Sequence, residues 1–130
     1  MTMDQASNEF KSKGGIKRIV NAFRYSVDGF RTAWRHEHAF RQELMVAAPA
    51  TIVALLLPVS SFQKLALIVV LGLVLLVELI NAAIEAVVDR VSLERHPLSK
   101  AAKDLGSAAV ALAIMMAAAT WAVVLYNRFY

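Results

Sequence analysis

The chain has 130 residues, 58% of them hydrophobic, with 14 basic and 10 acidic side chains for a formal net charge of +4. Soluble domains run at about 45–50% apolar, so an ordinary water-soluble domain is excluded. The absence of cysteine excludes disulfides, thiolate metal sites and a cysteine nucleophile.

Residues 1–13 are polar apart from Phe10 and are expected to be disordered; a polar start is the wrong order for a cleavable signal sequence. Residues 14–130 are expected to form one membrane domain. After Gly14-Gly15, the residues Ile16, Ile19, Val20, Phe23, Val27, Phe30 and Trp34 recur at helical spacing. Lys17, Arg24, Asp28, Arg31 and Arg35 fill the remaining circumference. This predicts an amphipathic helix over about 15–36, lying on the membrane surface with its cations near anionic headgroups.

Three apolar stretches follow, Leu44 to Val59, Leu65 to Val88 and Leu105 to Tyr126. Crossing a bilayer takes about 20 mostly apolar residues. The second and third stretches qualify directly, and the first does so once Ala39 to Glu43 enters with it. Spans are therefore expected over about 39–59, 63–90 and 103–127, giving an all-α integral membrane fold. Pro58-Val59-Ser60-Ser61 predicts a short turn between spans one and two. Arg95-His96-Pro97 breaks the helix after span two, and Ser99 is expected to cap the next one. A brief loop would then hold Lys100, Lys103 and Asp104 at the mouth of span three.

Eight of the basic residues precede the first span: Lys11, Lys13, Lys17, Arg18, Arg24, Arg31, Arg35 and Arg41. Lys64 stands alone in the first connection, Arg90, Arg95, Lys100 and Lys103 flank the second, and Arg128 follows the last span. The positive-inside rule then predicts a cytoplasmic N-terminus and second connection, with the C-terminus outside. The positive charge is accounted for by these flanks, so nucleic acid is not an expected partner.

The second span carries Glu78, Asn81, Glu85 and Asp89. At 100° per residue they fall within an arc of about 80°. A charged side chain near the bilayer centre costs roughly 2.5–3.5 kcal/mol, and such residues mark functional sites by default. Hydrogen bonding between helices, fixing oligomer packing, is the competing reading. Two further helices shield the stripe poorly, so a homo-oligomer with shared sites is expected. Glu37 and Glu43 at the junction before span one, and Lys103-Asp104 at the start of span three, could complete a site. Two carboxylates can hold a Mg²⁺ that also takes phosphate oxygens. A lysine neutralises phosphate charge, and a desolvated glutamate can serve as a base. His36, His38 and His96 form no i, i+4 metal pair. A Walker P-loop, a kinase Gly-rich loop and a G-x-S-x-G elbow are all absent.

Three segments carry more specific information: Val77-Glu78-Leu79-Ile80-Asn81-Ala82-Ala83-Ile84-Glu85-Ala86-Val87-Val88-Asp89-Arg90, Ala39-Phe40-Arg41-Gln42-Glu43, and Ala102-Lys103-Asp104-Leu105-Gly106-Ser107-Ala108-Ala109-Val110. In order and spacing, from about Gly15 to the C-terminus, they resemble the prokaryotic diacylglycerol kinase family. The resemblance implies a homotrimeric bundle of three-span subunits, each with an N-terminal surface helix, in the bacterial inner membrane. It implies transfer of the ATP γ-phosphoryl group to the primary hydroxyl of diacylglycerol, giving phosphatidic acid. Carried across, Glu78 resembles the general base, and Glu37 and Glu85 the Mg²⁺ ligands. Asn81 matches the position beside the base and Lys103 the phosphate-contacting lysine. Arg18, Asp89 and Asp104 match further nucleotide-site positions, with Glu43 in support. An undecaprenol kinase shares this fold and motif set and is the nearest alternative. A small ion-coupled transporter or a packing subunit is a different class, but neither gives Lys103 or Glu37 a role.

Overall fold

The computed structural model describes the backbone from residue 3 and the side chains from residue 14. Four helices run in order, α1 (Met3–His36), α2 (His38–Leu56), α3 (Ser61–Val91) and α4 (Pro97–Phe129). The chain divides into two units, Met1–His36 and Glu37–Tyr130. The side chains of residues 1–13, where disorder is expected, lie outside the described residues; the backbone from Met3 belongs to α1.

In the first unit, Ile16, Ile19, Phe23 and Phe30 of α1 are all exposed, so within its own unit the apolar stripe is uncovered. The helix ends one residue before Glu37, whose extended backbone (φ −107°, ψ 102°) separates it from α2. Glu37 contributes its carbonyl to the first turn of α2, accepting from Arg41 N at 3.2 Å.

In the second unit, α2, α3 and α4 are each long and apolar enough to cross a membrane. Pro49 lies inside α2, where it removes one backbone donor, while Thr51 Oγ1 donates to the Ala47 carbonyl at 2.8 Å. The α2–α3 turn is closed by a capping box: Gln63 N donates to Ser60 Oγ at 3.1 Å and Ser60 N to Gln63 Oε1 at 3.0 Å. This satisfies two donors that a helix start otherwise leaves open. Two cations finish the same turn, with Lys64 Nζ on the Leu55 carbonyl and Arg128 Nε on the Pro58 carbonyl, each at 2.7 Å.

The connection from α3 to α4 differs from expectation. Ser99 does not cap α4; His96 does, its Nδ1 accepting from Leu98 N at 3.1 Å, with Pro97 in the first turn. Proline suits that place because its φ is already helical and it has no N–H to leave unpaired. As a result α4 begins about two turns before residue 103, and Lys100, Lys103 and Asp104 stand on helix instead of loop.

α3 packs against both α2 and α4. The buried positions are Phe40, Ala47 and Ala54 on α2, Leu67, Val74 and Glu78 on α3, and Gly106, Ala113, Ala117 and Val124 on α4. Their steps of seven and four residues define narrow seams, as between helices crossing at shallow angles. Small residues on α2 and α4 let the backbones approach closely, which drives association where lipid removes the hydrophobic effect. Ala54, Leu67 and Val124 form one cluster near the α2–α3 turn, where Trp121 packs and its Nε1 donates to the Leu67 carbonyl at 3.3 Å. Val74, Ala113 and Ala117 form a second cluster further along.

Candidate active site

The α3 seam continues past Val74 into Glu78, then Asn81 and Glu85, so the polar stripe and the packing stripe are one surface. Glu78 is the single buried polar or charged side chain among the described residues, with 8% of its surface exposed. Its carboxyl lies within electrostatic reach of Glu43 from α2, and of Glu37 and Glu85. Glu43 Oε2 is itself buried without a hydrogen-bond partner.

One turn along, Asn81 Nδ2 donates to Glu85 Oε1 at 3.5 Å, while Asn81 Oδ1 is buried and unpartnered. Further toward the end of α3, Lys103 Nζ of α4 lies 2.8 Å from Asp89 Oδ1. The same ammonium feels the field of Glu85. Asp104 pairs with Lys100 on the exposed side of α4.

These ion pairs border a cleft of about 790 Å³ walled by the end of α3, the Ser92–His96 loop and the start of α4; Asp89, Arg95, Lys100, Lys103 and Asp104 line it. A narrower apolar pocket of about 260 Å³ opens between the three helices, with Glu43 and Gln42 at its polar end and Val46, Leu71, Val74 and Ile114 along its walls.

Glu37, Glu43, Glu78, Asn81, Glu85, Asp89, Lys103 and Asp104 thus gather along one end of the second unit. Arg18 belongs to the first unit. Two participants escape sequence reasoning. Lys100 reads as one more flanking cation, and its pairing with Asp104 needs the helical register of Pro97 onward. Gly106 reads as an incidental small residue within a motif, yet it is buried directly against Asn81. Its only signal is its place in the seam with Ala113 and Ala117.

The chemistry of the donors suits a hard divalent cation held partly by a phosphate ligand. Among the described residues no group of three or more His, Asp or Glu side chains is arranged to hold a metal. Glu37 and Glu85 each lie within electrostatic reach of Glu78, and one or two carboxylates are the provision typical for a Mg²⁺ that keeps waters and substrate phosphates in its other positions. The hydrogen bond from Asn81 to Glu85 is the kind of support that ligating carboxylates require.

Three spans, a buried glutamate and a lysine-bordered cleft at one end define a multi-pass membrane protein equipped to handle phosphate. The family model described as prokaryotic diacylglycerol kinase matches residues 24–125. The diacylglycerol kinase of Pseudomonas aeruginosa is 53% identical over 116 residues, covering 89% of this chain and 94% of the relative. That of Escherichia coli is 47% identical over 115 residues, covering 88% and 94%. That of Haemophilus influenzae is 38% identical over 118 residues, covering 86% and 95%. The chain belongs to the prokaryotic diacylglycerol kinase family. The matched segment contains every candidate site residue except Arg18.

Proposed function

We infer that this protein transfers the ATP γ-phosphoryl group to the primary hydroxyl of diacylglycerol, forming phosphatidic acid. The observation that carries this reading is identity of about half the residues to proteins named diacylglycerol kinase over nearly the whole chain.

The site residues support a division of labour. Glu78 takes the proton from the lipid hydroxyl as its oxygen bonds to the γ-phosphorus. The bond from that phosphorus to the bridging oxygen breaks, and ADP leaves. Lys103 is freed from Asp89 when it turns to phosphate oxygens, and it neutralises charge that builds there. Glu37 and Glu85 would hold Mg²⁺, which supplies positive charge at the phosphates when bound. Asn81 orients Glu85, and Glu43 stands within electrostatic reach of Glu78. Asp89, Asp104 and Arg18 border the nucleotide. Phosphoryl transfer asks mainly for alignment and charge stabilisation, so this constellation suffices without a P-loop.

The wider arrangement belongs to the same reading. α1 lies on the membrane surface, residues 14–130 form the working domain, and three copies assemble so that the polar face of α3 is shielded from lipid. The N-terminus and the α3–α4 loop are cytoplasmic and the C-terminus periplasmic, in the bacterial inner membrane. Lipid-dependent ATP consumption by the purified protein, compared on diacylglycerol and undecaprenol, tests the assignment. Faster turnover of undecaprenol would transfer it to the polyprenol branch, and no turnover of either would remove it.

A further inference from the structure

Beside the carboxylate cluster, the side chain of Asn81 on α3 fills the space that a side chain at position 106 of α4 would need. A Cβ on Gly106 would overlap Asn81 Oδ1 and stand 3.2 Å from Asn81 Cγ. Gly14, Gly15, Gly29 and Gly72 would each place a Cβ in open space, so the demand at Gly106 is local. It is also purely spatial, since no described glycine has a positive φ and helix propensity alone favours alanine over glycine.

The consequence falls on Asn81. Its Oδ1 occupies the slot over Gly106, where a Cα hydrogen faces it instead of a methyl group, a weak but oriented contact. Oδ1 has no other partner. With the oxygen seated there, the amide nitrogen points to Glu85 Oε1. Turning the amide out of the slot would aim neither end as it is now.

We propose that Gly106 is a positioning residue for phosphoryl transfer: its bare Cα forms the slot that seats the Asn81 amide, and the seated amide aims Glu85. This rests on the reading of Asn81 and Glu85 as site residues. Gly106 itself touches no reacting atom.

The test is a double-mutant cycle on the full chain in lipid micelles, using Gly106→Ala, Asn81→Ala and both together. Three quantities are read: lipid-dependent ATP turnover, Mn²⁺ affinity of the nucleotide-bound protein by electron paramagnetic resonance, and the thermal midpoint. Gly106→Ala should lower turnover and Mn²⁺ affinity by about 10–100-fold, the usual cost of losing support behind a metal ligand. KM for the lipid should stay unchanged. In the Asn81→Ala background the added Gly106→Ala should cause no further loss, because the clash is already gone. Should Gly106→Ala alone fail to fold, recovery of the midpoint in the double variant supports the slot, and no recovery overturns it. Wild-type turnover and Mn²⁺ affinity in Gly106→Ala, with Asn81→Ala inactive, overturn the positioning role and leave the site reading intact. Full activity in Asn81→Ala overturns both.

Discussion

Lys103 reaches across from α4 to place its ammonium 2.8 Å from Asp89 on α3, at the edge of the cleft that both residues line. Both side chains are about half exposed, and exposed pairs of this kind contribute about 0–1 kcal/mol to stability. Lys103→Met should therefore leave the thermal midpoint nearly unchanged. It should lower kcat by about 100-fold or more, the cost of removing one donor aimed at developing charge. Parallel calorimetry and ATP turnover separate the two effects. Lys100→Ala, which breaks only the outer pair with Asp104, should cost far less activity.

Glu78→Gln should retain the fold, since it replaces a buried carboxyl with a neutral group of similar shape in a span where charge is costly. Turnover should fall by about 10²–10⁴-fold, the contribution of a positioned base. A Gln variant with full activity in detergent would assign the proton to another group.

Chelation with EDTA should abolish turnover and added Mg²⁺ should restore it. Glu85→Gln and Glu37→Gln should each raise the Mg²⁺ concentration for half-maximal rate by at least about tenfold, with KM for the lipid little altered. A Mg²⁺ titration of each variant is the measurement.

At the far end of the bundle, Leu67 is fully buried and its carbonyl accepts from Trp121 Nε1. Leu67→Ala should lower stability by about 2 kcal/mol or more through the cavity it leaves, and Trp121→Phe by about 1 kcal/mol for the lost hydrogen bond. Both should keep near-normal activity per folded molecule, because Leu67 lies about 16 Å along α3 from Glu78. Thermal unfolding followed by turnover of the folded fraction tests this.

Much of this organisation is legible in the residues themselves. The three spans follow from apolar run length, and the alignment of Glu78, Asn81 and Glu85 follows from helical spacing. The cap of α4 is less legible, because Ser99 is the better cap by residue type, whereas Pro97 fixes where the helix must begin. The pairing of Lys100 with Asp104 depends on that shifted start. Gly106 is harder still: its role is a distance between two helices, and no local pattern encodes how closely α4 approaches Asn81.

The Ser60 capping box has an effect at the far end of the helix it starts. It pins the first turn of α3, and Glu78 follows roughly 27 Å further along at 1.5 Å per residue. The hydrocarbon layer is about 30 Å thick. In the function proposed above, α3 acts as a ruler laid across the membrane: anchored at one interface, it would deliver its buried glutamate to the depth of the lipid glycerol at the other. On that reading bilayer thickness becomes a variable of the reaction, since a membrane of unmatched thickness would present the hydroxyl above or below Glu78.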